Sequence, residues 1–147
     1  MLYSATTEYA IRALAHMATL RPGERILARD LAAATSVPRQ FLGKILHRLA
    51  RHGLLESAKG RGGGFRFARP AETIVLADLV GAVEGKDMMT LCVLGLDRCD
   101  DHQPCPMHDQ WKLFRERLKD RIYSATLADL GRNLLAKRSA AERAAKH

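Results

Sequence analysis

Apolar residues recur at steps of three and four in the first third of the chain, a spacing typical of amphipathic helices. The first predicted helix is capped by Ser4 or Thr6 and ends at the Arg-Pro-Gly break of residues 21–23. A second, short helix fits residues 28–35, although Leu27 before it cannot accept a hydrogen bond from the backbone. Two helices of unequal length are therefore expected before the first turn.

A tight turn at Ser36 and Val37 separates the short helix from a third helix. The third helix is predicted to begin at Pro38, because proline is favoured at the first helical position, and to end near Gly53. A short helix, a tight turn and another helix together form the core of a helix-turn-helix.

A glycine-rich hairpin follows these three helices. Residues 54–57 and 65–67 have the composition of short strands, and they flank the segment 59–64, Lys-Gly-Arg-Gly-Gly-Gly. Glycine supplies the positive φ angles that such a turn requires. A hairpin behind a helix-turn-helix predicts a winged helix-turn-helix, with the third helix in the major groove of DNA.

The second half of the chain is predicted to contain a fourth helix at residues 76–83, closed by Gly85, a loop, and one long C-terminal helix. The predicted fold is thus mainly α-helical with a small β-hairpin. Its parts are a winged helix-turn-helix domain over 1–85, a cysteine loop over 86–106, a dimerisation helix over 107–135 and a flexible tail over 136–147.

The long helix carries an apolar stripe that is expected to contact a second copy of the chain. Packing within the same chain is the alternative reading. The stripe consists of Trp111, Phe114, Leu118, Ile122 and Ala125.

The positive net charge of the chain indicates a polyanionic partner. The 147 residues carry a formal net charge of +8, and for such a basic chain DNA or RNA is expected as the partner ahead of a membrane surface. No apolar run is long enough to cross a membrane, and the N-terminus lacks the pattern of a signal peptide. A cytoplasmic location is therefore expected.

The predicted DNA-contacting residues lie on the third helix and at the hairpin tip. Early helix positions are placed to read bases, later ones to hold phosphates, and the tip to contact the minor groove or the backbone. In that order, they are Arg39, Gln40 and Lys44, then Arg48 and Arg51, then Lys59 and Arg61. A solvated, charged helix face is the structural alternative.

All three cysteines, Cys92, Cys99 and Cys105, lie within fourteen residues. Structural disulfides are rare in a cytosolic protein, so the group indicates a metal, a cluster or a redox sensor. Structural zinc prefers closer cysteine pairs, whereas thiolates are the usual ligands of iron–sulfur clusters. His108 can supply a fourth ligand. Three unrelated buried thiols are the alternative.

Five motifs, in this order, resemble the Rrf-two family of transcriptional regulators, which includes iron–sulfur, nitric-oxide and iron-responsive sensors. They are residues 9–14 (YAIRAL), 38–46 (PRQFLGKIL), 60–70 (GRGGGFRFARP), 76–85 (LADLVGAVEG) and the three cysteines. The resemblance covers residues 1–135.

The resemblance implies a homodimer with a palindromic operator and a 2Fe–2S or 4Fe–4S cluster held by the three cysteines. Family members differ in the fourth ligand. The matching positions here are His108 and Glu8, the latter reaching the cluster from the opposite protomer. Gln40 and Gly43 depart from the readout residues of the IscR-like members, which argues against an IscR-type operator.

The sequence offers no catalytic arrangement, so the chain is not expected to be an enzyme. The glycine run lacks the spacing of a phosphate-binding loop. Two other functions stay open: a cluster-free repressor that responds to thiol oxidation, and a zinc-binding structural or interaction module.

Overall fold

Six α-helices and one antiparallel hairpin build the chain in the computed structural model, which describes residues 3–85 and 90–146. The elements are α1 (Ala5–Met17), α2 (Ala28–Thr35), α3 (Arg39–Arg51), β1 (Leu55–Ala58), β2 (Gly64–Phe67), a 3-10 turn (Ala71–Thr73), α4 (Leu76–Glu84), α5 (His108–Ser124) and α6 (Leu127–Ala145). The start of the predicted cysteine loop, residues 86–89, lies outside the described residues, as do residues 1, 2 and 147.

The predicted helix-turn-helix is confirmed. α2 spans the expected residues, and its Leu27 cap makes no side-chain hydrogen bond. Ser36 adopts a left-handed conformation with φ of 55°, which turns the chain sharply into α3. Pro38 is the N-cap of α3 and not its first residue. α1 ends at Met17, four residues before the predicted break, and the chain continues as a loop to α2.

The hairpin forms the wing. β1 and β2 pair antiparallel, with Leu55 opposite Phe67 and Ala58 opposite Gly64. A further backbone pair was not predicted: Ile26, just before α2, exchanges hydrogen bonds of 2.9 and 2.8 Å with Phe65. This pair joins the wing to the helix-turn-helix and fixes the position of the wing beside α3.

Gly64 makes this pairing possible. Its φ is +106°, and an added Cβ would lie 2.4 Å from the carbonyl oxygen of Ile26. We expect Gly64→Ala to destabilise the protein by about 2 kcal/mol or more, because a strained backbone and a steric clash coincide. Gly62→Ala is the matched control, since Gly62 has φ of +68° but open space around it. Urea unfolding should give a smaller loss for Gly62→Ala, and equal losses would contradict the proposed clash.

Leucines of α1, α2 and α3 fill one continuous core beneath the wing and α4. The largest fully buried apolar side chains are Leu14, Leu31, Leu42, Leu46, Leu49, Ile74, Leu79 and Leu127. They occupy one face of each amphipathic helix, as the apolar spacing predicts. The opposite face of α3 stays in solvent, so the core positions the polar residues of that helix outward.

The prediction of a single C-terminal helix over 107–135 was wrong, because the helix is interrupted at Ala125 and Thr126. The Thr126 hydroxyl accepts from the Asp129 amide at 3.1 Å, and the Asp129 carboxylate accepts from the Thr126 amide at 2.9 Å. This capping box starts a new helix, α6. The flexible tail predicted over 136–147 was also wrong, because α6 continues to Ala145.

α6 folds back against α1 instead of extending α5. Gly131 permits the close approach, since a Cβ there would lie 2.9 Å from the Ala18 side chain. Backbone pairing of Val75 with Thr126 fixes the corner between the two helices. Among the helices of residues 3–85 and 90–146, none combines the length and apolar character of a transmembrane span.

Candidate DNA interface and cysteine site

α3 and the wing enclose a groove lined by basic side chains. Arg39 from α3 and Lys59 from the wing tip face it together with His47, whose ring packs edge-on against Phe65 at 5.2 Å. Gln40, Lys44 and Arg61 are exposed, on α3 and at the tip. The structure therefore brings Arg39 of the helix and Lys59 of the wing to one groove, and it leaves Gln40, Lys44 and Arg61 accessible to solvent.

Arg29 lines the same groove and was missed by the sequence reasoning. It lies in the first turn of α2 and makes only an exposed ion pair, at 3.2 Å, with its neighbour Asp30. The pairing of Ile26 with Phe65 places the start of α2 beside the hairpin, and no local sequence signal indicates this contact.

Arg48 does not share the exposure of the other predicted phosphate contacts. It is half-buried, and its Nε donates a hydrogen bond of 2.9 Å to the Ala82 carbonyl of α4. Arg51, one turn further along α3, is exposed. The structure thus gives Arg48 an internal partner, and its predicted role as a phosphate contact is not supported.

We expect Arg61→Ala to weaken DNA binding at every sequence and to reduce the salt slope of log affinity by about one, because a phosphate contact releases about one counterion. Arg61 is exposed in the open turn between β1 and β2. Arg143→Ala removes the same charge from the end of α6 and should leave the slope unchanged. An unchanged slope in Arg61→Ala, measured by anisotropy at several salt concentrations, would reject the wing contact.

All three cysteines and His108 line one cavity of about 240 Å³ between the cysteine loop and the start of α5. Cys92 Sγ lies 3.7 Å from Cys105 Sγ, and Cys99 Sγ lies 3.3 Å from His108 Nδ1. Cys92 and His108 are only 7% and 5% exposed. The four predicted ligands are therefore neighbours in space.

A second layer of polar residues orients His108. The Asp101 carboxylate lies 2.7 Å from His108 Nε2 and 2.9 Å from Lys112 Nζ. Hydrogen bonds from Lys112 and His108 lower the pKa of Asp101 to about 2, so Asp101 is an acceptor at neutral pH. We assign the ring proton to Nε2, which leaves the Nδ1 lone pair facing Cys99. This is the arrangement that metal-binding histidines usually have.

The two adjacent thiols differ in acidity. The backbone hydrogen bond from Leu94 lowers the pKa of Cys92, and this outweighs the opposing effect of burial. Burial raises the pKa of Cys105, and the neighbouring Cys92 raises it further. Cys92 is thus the more readily ionised thiol of the pair.

The side chains that line the cavity include the donor types that iron–sulfur clusters use. Within the described part of the chain, no set of three His, Cys, Asp or Glu side chains is arranged to hold one metal ion. Three thiols and an unprotonated imidazole nitrogen nevertheless face a common space, and this is a donor set that iron–sulfur clusters use. Glu8, the alternative ligand, is half-buried in α1 and does not line the cavity of its own chain.

The predicted dimer stripe on α5 is only partly exposed. Phe114 is 52% exposed and stacks on Trp111, whose Nε1 donates to the Leu91 carbonyl at 2.9 Å. Leu118 and Ala125 are half-buried. Ile122 is 3% exposed, so it belongs to the interior of its own chain and its prediction as an interface residue is corrected.

Comparison with known proteins agrees with this architecture. The model of the Rrf2 family, described as iron-dependent transcriptional regulators, matches residues 3–133. A relative from Aquifex aeolicus, named as an HTH-type transcriptional regulator, is 30% identical over 132 residues, which cover 88% of this chain and 91% of the relative. These relatives are transcriptional regulators and not enzymes.

Solved structures with the same fold include two regulators. CymR, the global cysteine regulator of B. subtilis, superposes with a TM-score of 0.73 at 19% identity and covers 88% of this chain and 95% of its own. IscR of T. potens gives a TM-score of 0.68 at 18% identity and covers 89% and 86%. The winged helix-turn-helix, the cysteine motif and the family match lead to one conclusion: the chain belongs to the Rrf2, or Rrf-two, family of transcriptional regulators.

Proposed function

We propose that this transcriptional regulator binds its operator with an affinity set by an iron–sulfur cluster, held by Cys92, Cys99, Cys105 and His108. The observation that carries the proposal is that these four residues, of which the first and the last are sixteen positions apart, line one cavity. A cluster would supply a redox-active centre that is sensitive to oxygen and nitric oxide, and its loss would release the loop that carries the ligands.

Neighbouring residues orient the proposed ligands and attach the cysteine loop to α5. Asp101 holds His108 with its Nδ1 toward the thiols, and Leu94 stabilises the Cys92 thiolate. Trp111 fixes the loop to α5 through the Leu91 carbonyl. Ligation would hold the loop in one conformation, because four protein groups would share one inorganic centre. A 2Fe–2S and a 4Fe–4S cluster both fit this donor set, and the partner's Glu8 is the alternative fourth ligand.

DNA binding by a dimer completes the proposal. Two copies related by a two-fold axis would present two α3 helices about 34 Å apart, one turn of DNA, to a palindromic operator. The exposed part of the α5 stripe, around Phe114, is the proposed contact between protomers. Arg39, Gln40 and Lys44 would then face base edges, while Arg51, Lys59 and Arg61 hold the backbone.

A second candidate function rests on the 3.7 Å separation of Cys92 Sγ and Cys105 Sγ. Peroxide can oxidise the Cys92 thiolate to a sulfenic acid, with reduction of the peroxide to water. The Cys105 thiol then displaces water from that sulfur and forms a disulfide. This cluster-free switch predicts that peroxide changes the DNA affinity of metal-free protein.

The two candidates are separated by one binding series on a DNA duplex selected in vitro with the wild-type chain. If a cluster controls binding, protein purified without oxygen should change its DNA affinity when a chelator removes its iron under reducing conditions. No peroxide is present in that step, so a thiol switch predicts no change. Colourless protein that holds zinc, with DNA affinity insensitive to iron removal, would contradict cluster control and favour a structural zinc site.

A further inference from the structure

We propose that Arg48 is a positioning residue that couples the DNA-reading helix α3 to the end of α4, where the cysteine loop begins. The inference deepens the proposed function, because it names the contact through which the state of the cysteine loop reaches α3. In this proposal Arg48 does not hold a DNA phosphate, which was the role predicted for it from the sequence.

The contact joins a cation to the carboxyl end of a helix. Arg48 Nε donates to the Ala82 carbonyl at 2.9 Å, and Ala82 lies in the last turn of α4. The last four carbonyls of a helix have no partner within it and carry the negative end of its dipole. The guanidinium therefore gives the Ala82 carbonyl a charge-assisted hydrogen bond.

Glu84 extends this contact to α1. Its carboxylate accepts hydrogen bonds from the Ser4 amide at 3.1 Å, from the Ser4 hydroxyl at 2.7 Å and from the hydroxyl of Thr7, which is fully buried. The Arg48 charge also acts on this carboxylate. The start of α1 and the last turn of α3 thus both make polar contacts with the end of α4.

Gly85, the last residue described before the gap at 86–89, lies beside these contacts. Gly85 ends α4 in a left-handed conformation with φ of 65°, and a Cβ at Gly85 would lie 3.4 Å from Arg48 Nη2. A shift of the α4 end on ligation of the loop would move the acceptor of Arg48. Because Arg48 is part of α3, this shift would change the orientation of the helix that faces DNA.

Arg51 provides the matched control because it lies on the same helix with an exposed side chain. If Arg51 holds a phosphate, Arg51→Met should lower the salt slope of DNA binding by about one. Arg48→Met should leave that slope unchanged. Arg48→Lys keeps a donor and a charge at the site, and should restore part of the coupling. It also tests the role of Arg48 if Arg48→Met is unstable.

Hydrogen exchange gives a readout that does not require a cluster. With the selected duplex, wild-type metal-free protein should show slower amide exchange at residues 82–85, and Arg51→Met should retain this effect. Arg48→Met should lose it, with partial recovery in Arg48→Lys. Retention of the DNA-dependent protection in Arg48→Met, or its absence in the wild-type chain, would overturn the coupling role.

The cluster-loaded protein provides the second readout. Allosteric couplings typically change affinity about 5- to 150-fold, and we expect the ratio of loaded to metal-free DNA affinity to fall toward one in Arg48→Met. An undiminished ratio in this variant would refute the inference while leaving cluster control intact. A ratio of one in the wild-type chain would refute cluster control, and the exchange experiment would still decide the role of Arg48.

Discussion

Cys92→Ser is expected to abolish the cluster and, with it, the response of DNA binding to iron removal. Cys92 is 7% exposed and lies 3.7 Å from Cys105. Because the position is buried, we expect no other side chain to replace Cys92 as a ligand. A serine hydroxyl is not ionised at neutral pH and is a poor ligand for iron, whereas a thiolate is a good one. Iron and acid-labile sulfide should fall to background in anaerobically purified protein, and its visible absorption should disappear.

Val93→Ser is the matched control, since it introduces the same side chain at the next position, where Val93 is 47% exposed and outside the cavity. This variant should keep its iron, sulfide and response. Because the DNA surface of α3 and the wing is separate from the loop, both variants should bind DNA as metal-free protein. Wild-type iron and sulfide levels in Cys92→Ser would show that Cys92 is not a ligand.

Phe114→Asp is expected to dissociate the proposed dimer and to lower operator affinity with it. Phe114 is 52% exposed and stacked on Trp111, as an anchor residue in an apolar interface would be. Truncating such a residue costs about 2 kcal/mol or more, and a two-fold interface contains it twice. We therefore expect the dimer dissociation constant to rise by at least about 10²-fold, measured by sedimentation equilibrium.

Tyr123→Asp is the control for this prediction. Tyr123 is 58% exposed on the same helix, but it lies nine residues from Phe114, which places it about 180° around the axis at roughly 100° per residue. Tyr123→Asp should leave the dimer intact. Dissociation by Tyr123→Asp and not by Phe114→Asp would place the interface on the opposite face of α5.

Local sequence signals predicted the N-terminal half well because most of its elements are specified by short-range patterns. Apolar spacing and the Ser36–Val37 turn defined α2 and α3, and the glycines defined the wing. The break between α5 and α6 was missed, although Thr126 and Asp129 have capping-box spacing. Leu127, Leu130 and Leu134 continue the helical period across the break, so periodicity alone favours one helix.

The candidate site was also predicted only in part from the sequence. The proximity of the three cysteines and His108 could be predicted, since their spacing within one short segment limits how far apart they can lie. The roles of Arg48 and Arg29 could not, because each depends on a contact between elements distant in sequence: α3 with α4, and Ile26 with the wing. The same holds for Ile122, whose burial reflects tertiary packing that the helical period does not encode.

Whether the cysteine site holds an iron–sulfur cluster can be decided by measuring iron, acid-labile sulfide and zinc per chain in protein purified without oxygen. We expect coloured protein with iron and sulfide in equal amounts, two of each per chain for a 2Fe–2S cluster or four for a 4Fe–4S cluster. Zinc alone, or no iron after an attempt to reconstitute the cluster, would show that the site does not hold one.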